Sequence, residues 1–142
     1  MKSYESKTTT INKPQTQLFA ILSDMRNLGK YISEIQGRDV NIKEFTCGQD
    51  FAEANIPNLG SVRLKIVEKE PDNTIKFAVE NLPIRANLWV QLKEVAENDT
   101  KMKLVIKADI PIFLVPVLGS KLQEGLDKIT DTLTFAINRQ NF

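Results

Sequence analysis

The last quarter of the chain contains a long amphipathic pattern that limits what the rest can fold into. Apolar residues recur at steps of three and four, at Leu118, Leu122, Leu126, Ile129, Leu133 and Ile137. Charged residues occupy the opposite face, so the pattern predicts one helix with a single buried side. A helix of about 22 residues is roughly 33 Å long, which matches a strand of about ten residues. The rest of the chain must therefore supply an apolar surface of that length.

A nearly uninterrupted apolar run, from Ile110 to Leu118, leads into this helix. The run is too short to span a bilayer. Pro111 can open a helical turn, whereas Pro116 predicts a break or kink because proline lacks the N–H that a helix interior uses. Two interpretations of the run stay open: it plugs one end of the core, or it forms a mobile apolar lip over a pocket.

The composition argues against several kinds of site. Lysine and arginine number 19 against 18 acidic residues, a net charge of +1, which argues against a nucleic acid held by bulk charge. There is no histidine, the commonest general base and metal ligand. The single cysteine, Cys47, excludes an internal disulfide and suits a reducing compartment. We therefore expect no metal, no cofactor and no transmembrane segment. Because the N-terminus lacks an apolar signal sequence, we also expect a cytoplasmic protein.

Alternating apolar residues predict a sheet. A strand over 3–11 opens the chain, and two helices follow, the first capped by Asn12 and the second, over 27–37, with Tyr31 on its apolar face. Six further strands are predicted at 40–46, 49–56, 60–70, 74–80, 86–97 and 100–109. The facing of the first two stays open. The last four have one apolar face, one charged face and short turns, which is typical of an antiparallel meander. The long helix is the element that matches the apolar face in length.

This order, β-α-α-β6-α, resembles the helix-grip fold of the START-like (SRPBCC) superfamily, an α+β fold. In that fold a curved seven-stranded antiparallel sheet surrounds a long C-terminal helix. Local features carry the same likeness: the helix marked by Pro14, Leu59-Gly60 before a strand, Ile66 to Pro71 before a turn, and Asn98 to Thr100 before the last strand. They are similar to those of small bacterial, polyketide cyclase-like members. The resemblance covers residues 1–142 as a single domain. It implies a cavity between helix and sheet that often holds an apolar ligand, without implying one reaction.

The resemblance places the candidate ligand-binding residues on the apolar faces that meet across this cavity. They are Tyr31, Leu64, Ile66, Phe77, Val79, Leu88, Val90, Met102, Leu104, Leu118, Leu122 and Leu126. The alternative is an ordinary packed core. A dry void of about 300 Å³ would cost about 7 kcal/mol at ~24 cal/mol per Å³, comparable with a domain's whole stability. A cavity must therefore hold a ligand or water, or collapse, and the large aliphatic residues on both faces favour a small one.

Four polar residues are candidates for orienting a ligand, and each has a simpler interpretation. Tyr31 also suits a core edge, Glu53 a solvated sheet edge, and Arg85 the protein surface. Asp109 is placed to cap the turn before the last helix. Without a histidine to activate it, Cys47 is best interpreted as an inert thiol.

Two features belong to the charged face of the sheet. Trp89 has the parity of that face, where it can anchor the sheet surface or contact a partner. Lys101, Lys103 and Lys107 form a row on the last strand. Such a row is commonly solvated, and contact with an anionic membrane is the alternative.

Three functions remain open, and a role at a membrane surface is the remaining alternative. The sequence favours non-enzymatic binding of a hydrophobic small molecule or lipid in the cavity. The second is a cyclase or dehydratase acting on a polyketide-like substrate, which requires at least two of Tyr31, Glu53 and Asp109 to converge. The third is a protein-interaction domain, which requires an exposed apolar patch outside the cavity mouth, near Trp89. Neither the ligand nor the oligomeric state follows from the sequence.

Overall fold

The structure of the chain is a computed structural model that describes residues 2–27, 29–30, 43–56, 60–82 and 84–139. The strands are β1 Lys2–Glu5, β2 Thr9–Ile11, β3 Lys43–Cys47, β4 Phe51–Ile56, β5 Gly60–Glu70, β6 Thr74–Glu80, β7 Ala86–Ala96 and β8 Asp99–Ala108. The helices are α1 Gln15–Leu22, a 3-10 helix Ile112–Leu114, and α2 Val115–Arg139. Most of the second predicted helix, with Tyr31, and residues 40–42 of the next strand lie outside the described residues.

All the strands join one antiparallel sheet in the order β1-β8-β7-β6-β5-β4-β3, and β2 pairs with β8 beside β1. The eight strands of the described residues therefore fill seven positions in the sheet. Register shifts interrupt the pairing of β3 with β4, β5 with β6 and β7 with β8, and such bulges bend strands. The sheet and the long helix α2 confirm the predicted α+β helix-grip architecture.

The opening segment forms two short strands, so the prediction of one strand over 3–11 is wrong. The hydroxyl of Ser6 accepts a hydrogen bond from the Leu104 N–H at 2.9 Å. The N–H of Lys7 donates to the Asp127 carboxylate of α2 at 2.8 Å. In both hydrogen bonds a side-chain oxygen replaces a backbone carbonyl as the acceptor, so the strand pairing is interrupted here. The bond from Lys7 to Asp127 also links the edge of the sheet to α2.

α1 begins without the side-chain cap that the sequence predicts. Pro14 occupies the N-cap position, and no side chain caps the helix there. The N–H of Asn12 donates instead to the Asn138 side chain of α2 at 2.8 Å. The Gln15 side chain accepts a hydrogen bond from the Glu94 N–H at 2.9 Å. The residues that resemble a capping box therefore fasten α1 to α2 and β7.

α2 begins at Val115, so Pro116 falls in its first turn and the predicted break lies before the helix, at the 3-10 helix. A proline in a first turn loses only an N–H that has no partner within the helix. The prediction that Asp109 caps the entry is wrong. No side chain caps the 3-10 helix, and the backbone N–H of Asp109 donates to the Arg85 carbonyl at 2.9 Å.

The core is sealed where α1 and the C-terminal half of α2 cover the sheet. Its most deeply buried apolar side chains are at most 1% exposed. We call this region the closed end: Ile11, Leu18, Ile75, Met102, Leu104 and Ile137. Every layer of the fold contributes to it, so the closed end is an ordinary close-packed core.

Candidate functional site

At the other end of the same sheet face, four inner side chains of β4, β5 and β6 are only half-buried. Leu64 of β5 is the direct cross-strand neighbour of Val79 of β6, and both pack on the margin of the core. Val62 and Ala54 form the next pair, and they too are half-buried. We call Ala54, Val62, Leu64 and Val79 the open end. It is an apolar floor whose cover is incomplete.

Small, buried side chains adjoin this floor. Ala86 of β7 lies between Val79 of β6 and Ala108 of β8, and Ala52 lies opposite Leu64. The three alanines are buried and face the same side as their cross-strand partners. With Phe45 and Cys47 packed on the margin of the core, these contacts assign the inner faces of β3 and β4, which the sequence left open.

One flank of α2 is polar and is hydrogen-bonded to the sheet edge formed by β1 and β2. We call it the polar flank: Gln123, Asp127, Thr134 and Asn138. The Gln123 amide donates to the Glu5 carbonyl at 2.7 Å, and the Thr134 hydroxyl donates to the Thr9 hydroxyl at 2.8 Å. The backbone N–H of Lys7 and then the Gln123 side chain hold the pKa of Asp127 below its ordinary value. The helix is thus fastened along one side.

The opposite flank of α2 is apolar and only partly covered. We call it the leucine flank: Leu118, Leu122, Ile129 and Leu133. The leucines are half-buried, whereas Ile129 is 50% exposed, so the prediction that Ile129 faces the sheet is wrong. The side of α2 that is buried against the sheet contains Leu126 and Thr130. The leucine flank therefore lies beside the buried side rather than on it. A Cβ added at Gly125, on the same flank, would meet nothing within 4 Å.

The structure divides the predicted lining residues into half-buried and buried members. Leu64 and Val79 belong to the open end, and Leu118 and Leu122 to the leucine flank. The buried members are Ile66, Phe77, Leu88, Val90, Met102, Leu104 and Leu126. Tyr31 lies outside the described residues. The candidate site is therefore the region bounded by the half-buried side chains of the leucine flank and of the open end, and we call this region the cleft. It has fewer lining residues than the set that the sequence proposed.

The polar candidates are not among the side chains of the leucine flank or of the open end. Glu53 is on the outer face of the sheet, where its carboxylate lies 3.8 Å from the Arg63 guanidinium. Arg85 and Asp109 are exposed at the surface. Cyclase chemistry requires at least two of Tyr31, Glu53 and Asp109 to converge. Glu53 and Asp109 do not converge, since three strands of the sheet separate β4 from β8.

Tyr4 is a polar residue near the cleft that the sequence analysis did not single out. It lies opposite the inward-facing Ile106 and is half-buried. Its hydroxyl is 2.7 Å from the place that a Cβ on Gly119 would occupy. This close approach puts a phenol at the start of α2, beside Leu118. A glycine within the helical pattern was the available signal, because it marks such an approach.

Trp89 lies on the outer face of the sheet, as its parity predicts. The ammonium groups of Lys76 and Lys107 each lie 5.3 Å from its ring. Cations over an aromatic face are attracted by the ring quadrupole. The two lysines therefore flank the indole with charge, and the ring is half-buried.

The lysine row on β8 is paired with neighbouring acids. The Lys101 ammonium lies 3.3 Å from Asp99, and the Lys103 ammonium 3.2 Å from Glu5. An open depression of about 400 Å³ lies beside them, lined by Thr8, Gln91, Leu92, Lys93, Lys101, Met102 and Lys103. Met102 is the one predicted lining residue that it contains, and no residue of the leucine flank or of the open end lines it, so it is distinct from the candidate site.

Two further observations concern the described residues alone. The described residues contain no group of three histidine, cysteine or carboxylate side chains that could hold a metal ion. None of their helices combines the length and the apolarity that a membrane span needs.

Several solved structures share this fold at low sequence identity. Norcoclaurine synthase from Thalictrum flavum, in complex with dopamine and hydroxybenzaldehyde, gives a TM-score of 0.75 at 8% identity over 99% of this chain and 89% of that one. The Aha1 dimer from Colwellia psychrerythraea gives 0.68 at 14% identity over 98% of each chain. A START superfamily protein from Mycobacterium smegmatis gives 0.66 at 11% identity over 96% and 94%.

No protein-family model matches the chain, and no curated protein matches its sequence. The likeness to solved structures confirms the resemblance stated above at the level of the fold. At these identities it shows the fold alone, since one fold supports many functions.

Proposed function

We propose, on the premise that this chain has the START-like helix-grip fold, that it binds a hydrophobic small molecule or lipid without converting it. The binding place is the cleft between the leucine flank and the open end. The observation that carries the proposal is that Leu64 and Val79 on the floor, and Leu118 and Leu122 on the helix, are all half-buried. Covering apolar surface of this kind contributes about 25 cal/mol per Å².

The cleft favours a ligand that is mostly apolar and has one hydrogen-bonding group. Its sides are aliphatic, and the phenol of Tyr4 stands at the end where α2 begins. A few placed polar groups in an apolar pocket commonly fix a ligand's orientation. Norcoclaurine synthase, a protein of the same fold, is solved with two small aromatic molecules. That complex supports the proposal that the fold can hold such a ligand, and it does not identify the ligand here.

The test is displacement of an apolar fluorescent dye, together with native mass spectrometry of protein purified gently from its own cells. Leu122→Gln puts a polar group into the cleft and should lower dye affinity by about tenfold or more. Val95→Gln is the matched control, because Val95 is an exposed apolar residue near the β7–β8 turn. Its dye affinity should not change.

Val79→Phe separates binding inside the cleft from adsorption to its surface. The larger ring keeps the floor apolar and narrows the cleft, so dye affinity should fall although no polar group is added. Unchanged affinity in both Leu122→Gln and Val79→Phe would contradict the proposal. A stoichiometric apolar adduct that is lost in both variants would support it and give the chemical class of the ligand.

The two alternatives have less support. A polyketide cyclase-like activity lacks a converging pair in Glu53 and Asp109, because Glu53 is in β4, Asp109 follows β8, and three strands lie between β4 and β8 in the sheet. A protein-interaction role through the region of Trp89 would need an apolar patch, and Lys76 and Lys107 flank that ring. The cytoplasmic location stays a prediction from the sequence.

A further inference from the structure

The segment that leads into α2 holds large apolar side chains in water. Ile112 and Phe113 are 84% and 77% exposed, and Val117, in the first turn of α2, is 56% exposed. We call these three residues the lip. Ile110 just before them is buried, and Leu114 packs on the core. The lip therefore projects from an anchored base, which favours the second interpretation of this segment over a plug.

The lip is small and sits on a turn. The 3-10 helix is closed by a hydrogen bond from the Leu114 N–H to the Pro111 carbonyl at 2.9 Å. A stable protein interface buries about 800 Å² on each partner, more than three side chains at a turn can supply. A lipid interface needs no complementary shape, and it accepts a few apolar side chains inserted at the level of the headgroups.

The charges beside the lip are mostly positive. Lys107 and Arg85 lie on the segments next to Asp109, Lys2 pairs opposite Ala108, and Lys121 is one turn after Val117. All four cations are exposed. Two acids, Asp109 and Glu124, lie on the same segments. The excess of positive charge complements an anionic surface, where each cation contributes about fivefold in affinity.

We propose that the lip inserts into the interface of an anionic membrane while Lys2, Arg85, Lys107 and Lys121 contact its headgroups. The leucine flank begins at Leu118, directly after Val117. A docked lip would thus place the start of the cleft at the membrane surface, so that an apolar ligand enters from the bilayer. The statement about ligand entry rests on the proposed function, whereas the docking itself does not.

Sedimentation of the full chain with lipid vesicles tests the docking. Vesicles of phosphatidylcholine with about a third phosphatidylserine should bind the protein, pure phosphatidylcholine vesicles should bind it weakly, and added salt should weaken the binding. Phe113→Ser should lower the partition coefficient by about tenfold. Lys107→Gln and Lys121→Gln should each lower it by about fivefold.

Matched controls lie near the β7–β8 turn, at the opposite end of β8 from the lip. Val95→Ser removes a similarly exposed apolar side chain, and Lys93→Gln removes an exposed cation. Neither should change vesicle binding. An effect of Lys93→Gln equal to that of Lys107→Gln would overturn the proposal in favour of the outer lysine face. Absence of binding to anionic vesicles, or full binding by Phe113→Ser, would also overturn it.

Insertion can be observed directly with Phe113→Trp in a Trp89→Phe background. Its emission should shift to the blue on anionic vesicles and stay unshifted with Val95→Trp in the same background. The dye assay without vesicles separates the two proposals. Dye binding without vesicle binding overturns the docking alone, whereas vesicle binding with neither dye binding nor an adduct overturns the proposed function alone.

Discussion

The closed end and the open end belong to the same sheet face, yet they are packed differently. At the closed end, side chains such as Met102 and Leu104 are at most 1% exposed. At the open end, Leu64 and Val79 have the same chemistry and are half-buried. The polar flank fastens α2 to the far edge of the sheet, formed by β1 and β2.

Because of this difference, the residues that contribute most to folding stability are not the residues that leave surface for a ligand. Fully buried aliphatic side chains contribute the largest share of folding free energy, and truncating them leaves a cavity. Half-buried ones contribute less to folding, because part of their surface is in water in the folded state. The same exposed surface is what a ligand can cover. One sheet can thus stabilise the domain at one end and leave apolar surface for the proposed ligand at the other.

The largest expected effect is a difference in stability between truncations at the two ends. Leu104→Ala should destabilise the fold by about 2–5 kcal/mol, because it removes a sealed side chain and leaves a cavity. Leu64→Ala should cost about 1 kcal/mol, since a half-exposed leucine loses less transfer free energy and its site opens to solvent. Urea denaturation of both variants measures the difference.

Ligand affinity should show the opposite pattern. Leu64→Ala should weaken binding of the apolar dye, whereas Leu104→Ala, measured where it is still folded, should leave the affinity nearly unchanged. Equal costs in stability would mean that the open end is covered as well as the closed end. The separation of the two ends would then be wrong.

The second prediction compares two glycines of α2. Gly125→Ala should stabilise the fold by about 0.5–1 kcal/mol, since alanine favours a helix and its Cβ meets nothing within 4 Å. Gly119→Ala should lack this gain or destabilise, because its Cβ would stand 2.7 Å from the Tyr4 hydroxyl. Thermal denaturation of both variants, each made also in a Tyr4→Phe background, measures the coupling.

Removal of the hydroxyl should restore the gain at Gly119 and leave Gly125 unaffected, with a coupling of about 1 kcal/mol. If Tyr4→Phe made no difference, the approach of Tyr4 to α2 would not limit the packing there. A destabilising Gly125→Ala would show that the space beside the leucine flank is filled, which would weaken the case for a cleft.

Periodicity predicted the elements that local patterns determine. Alternation over 60–109 predicted the meander, and the apolar steps predicted α2. Which flank of α2 stays uncovered did not follow, because Ile129 shares the apolar stripe with Leu126 and only the tertiary contacts separate them. The break at Ser6 was missed for a related reason, since a serine hydroxyl replaces a backbone acceptor only where Leu104 lies opposite. The exposure of Phe113 likewise depends on packing rather than on composition.

The smallest expected effect tests the polar flank, through pH. The Lys7 N–H, and then Gln123, lower the pKa of Asp127 from its ordinary 3.8. A carboxyl group whose pKa is lower in the folded state stabilises the folded protein at pH values above its unfolded-state pKa. That stabilisation is lost as the pH falls below 3.8 toward the pKa of the folded state. Asp127→Asn should therefore be slightly less stable than the native chain at pH 6, and the difference should vanish at acidic pH. Urea titrations at several pH values measure this difference in stability.

A difference that is constant with pH would show that Asp127 acts through its shape rather than its charge. If the polar flank also sets the width of the cleft, dye affinity should change over the same pH range in the native chain and not in Asp127→Asn.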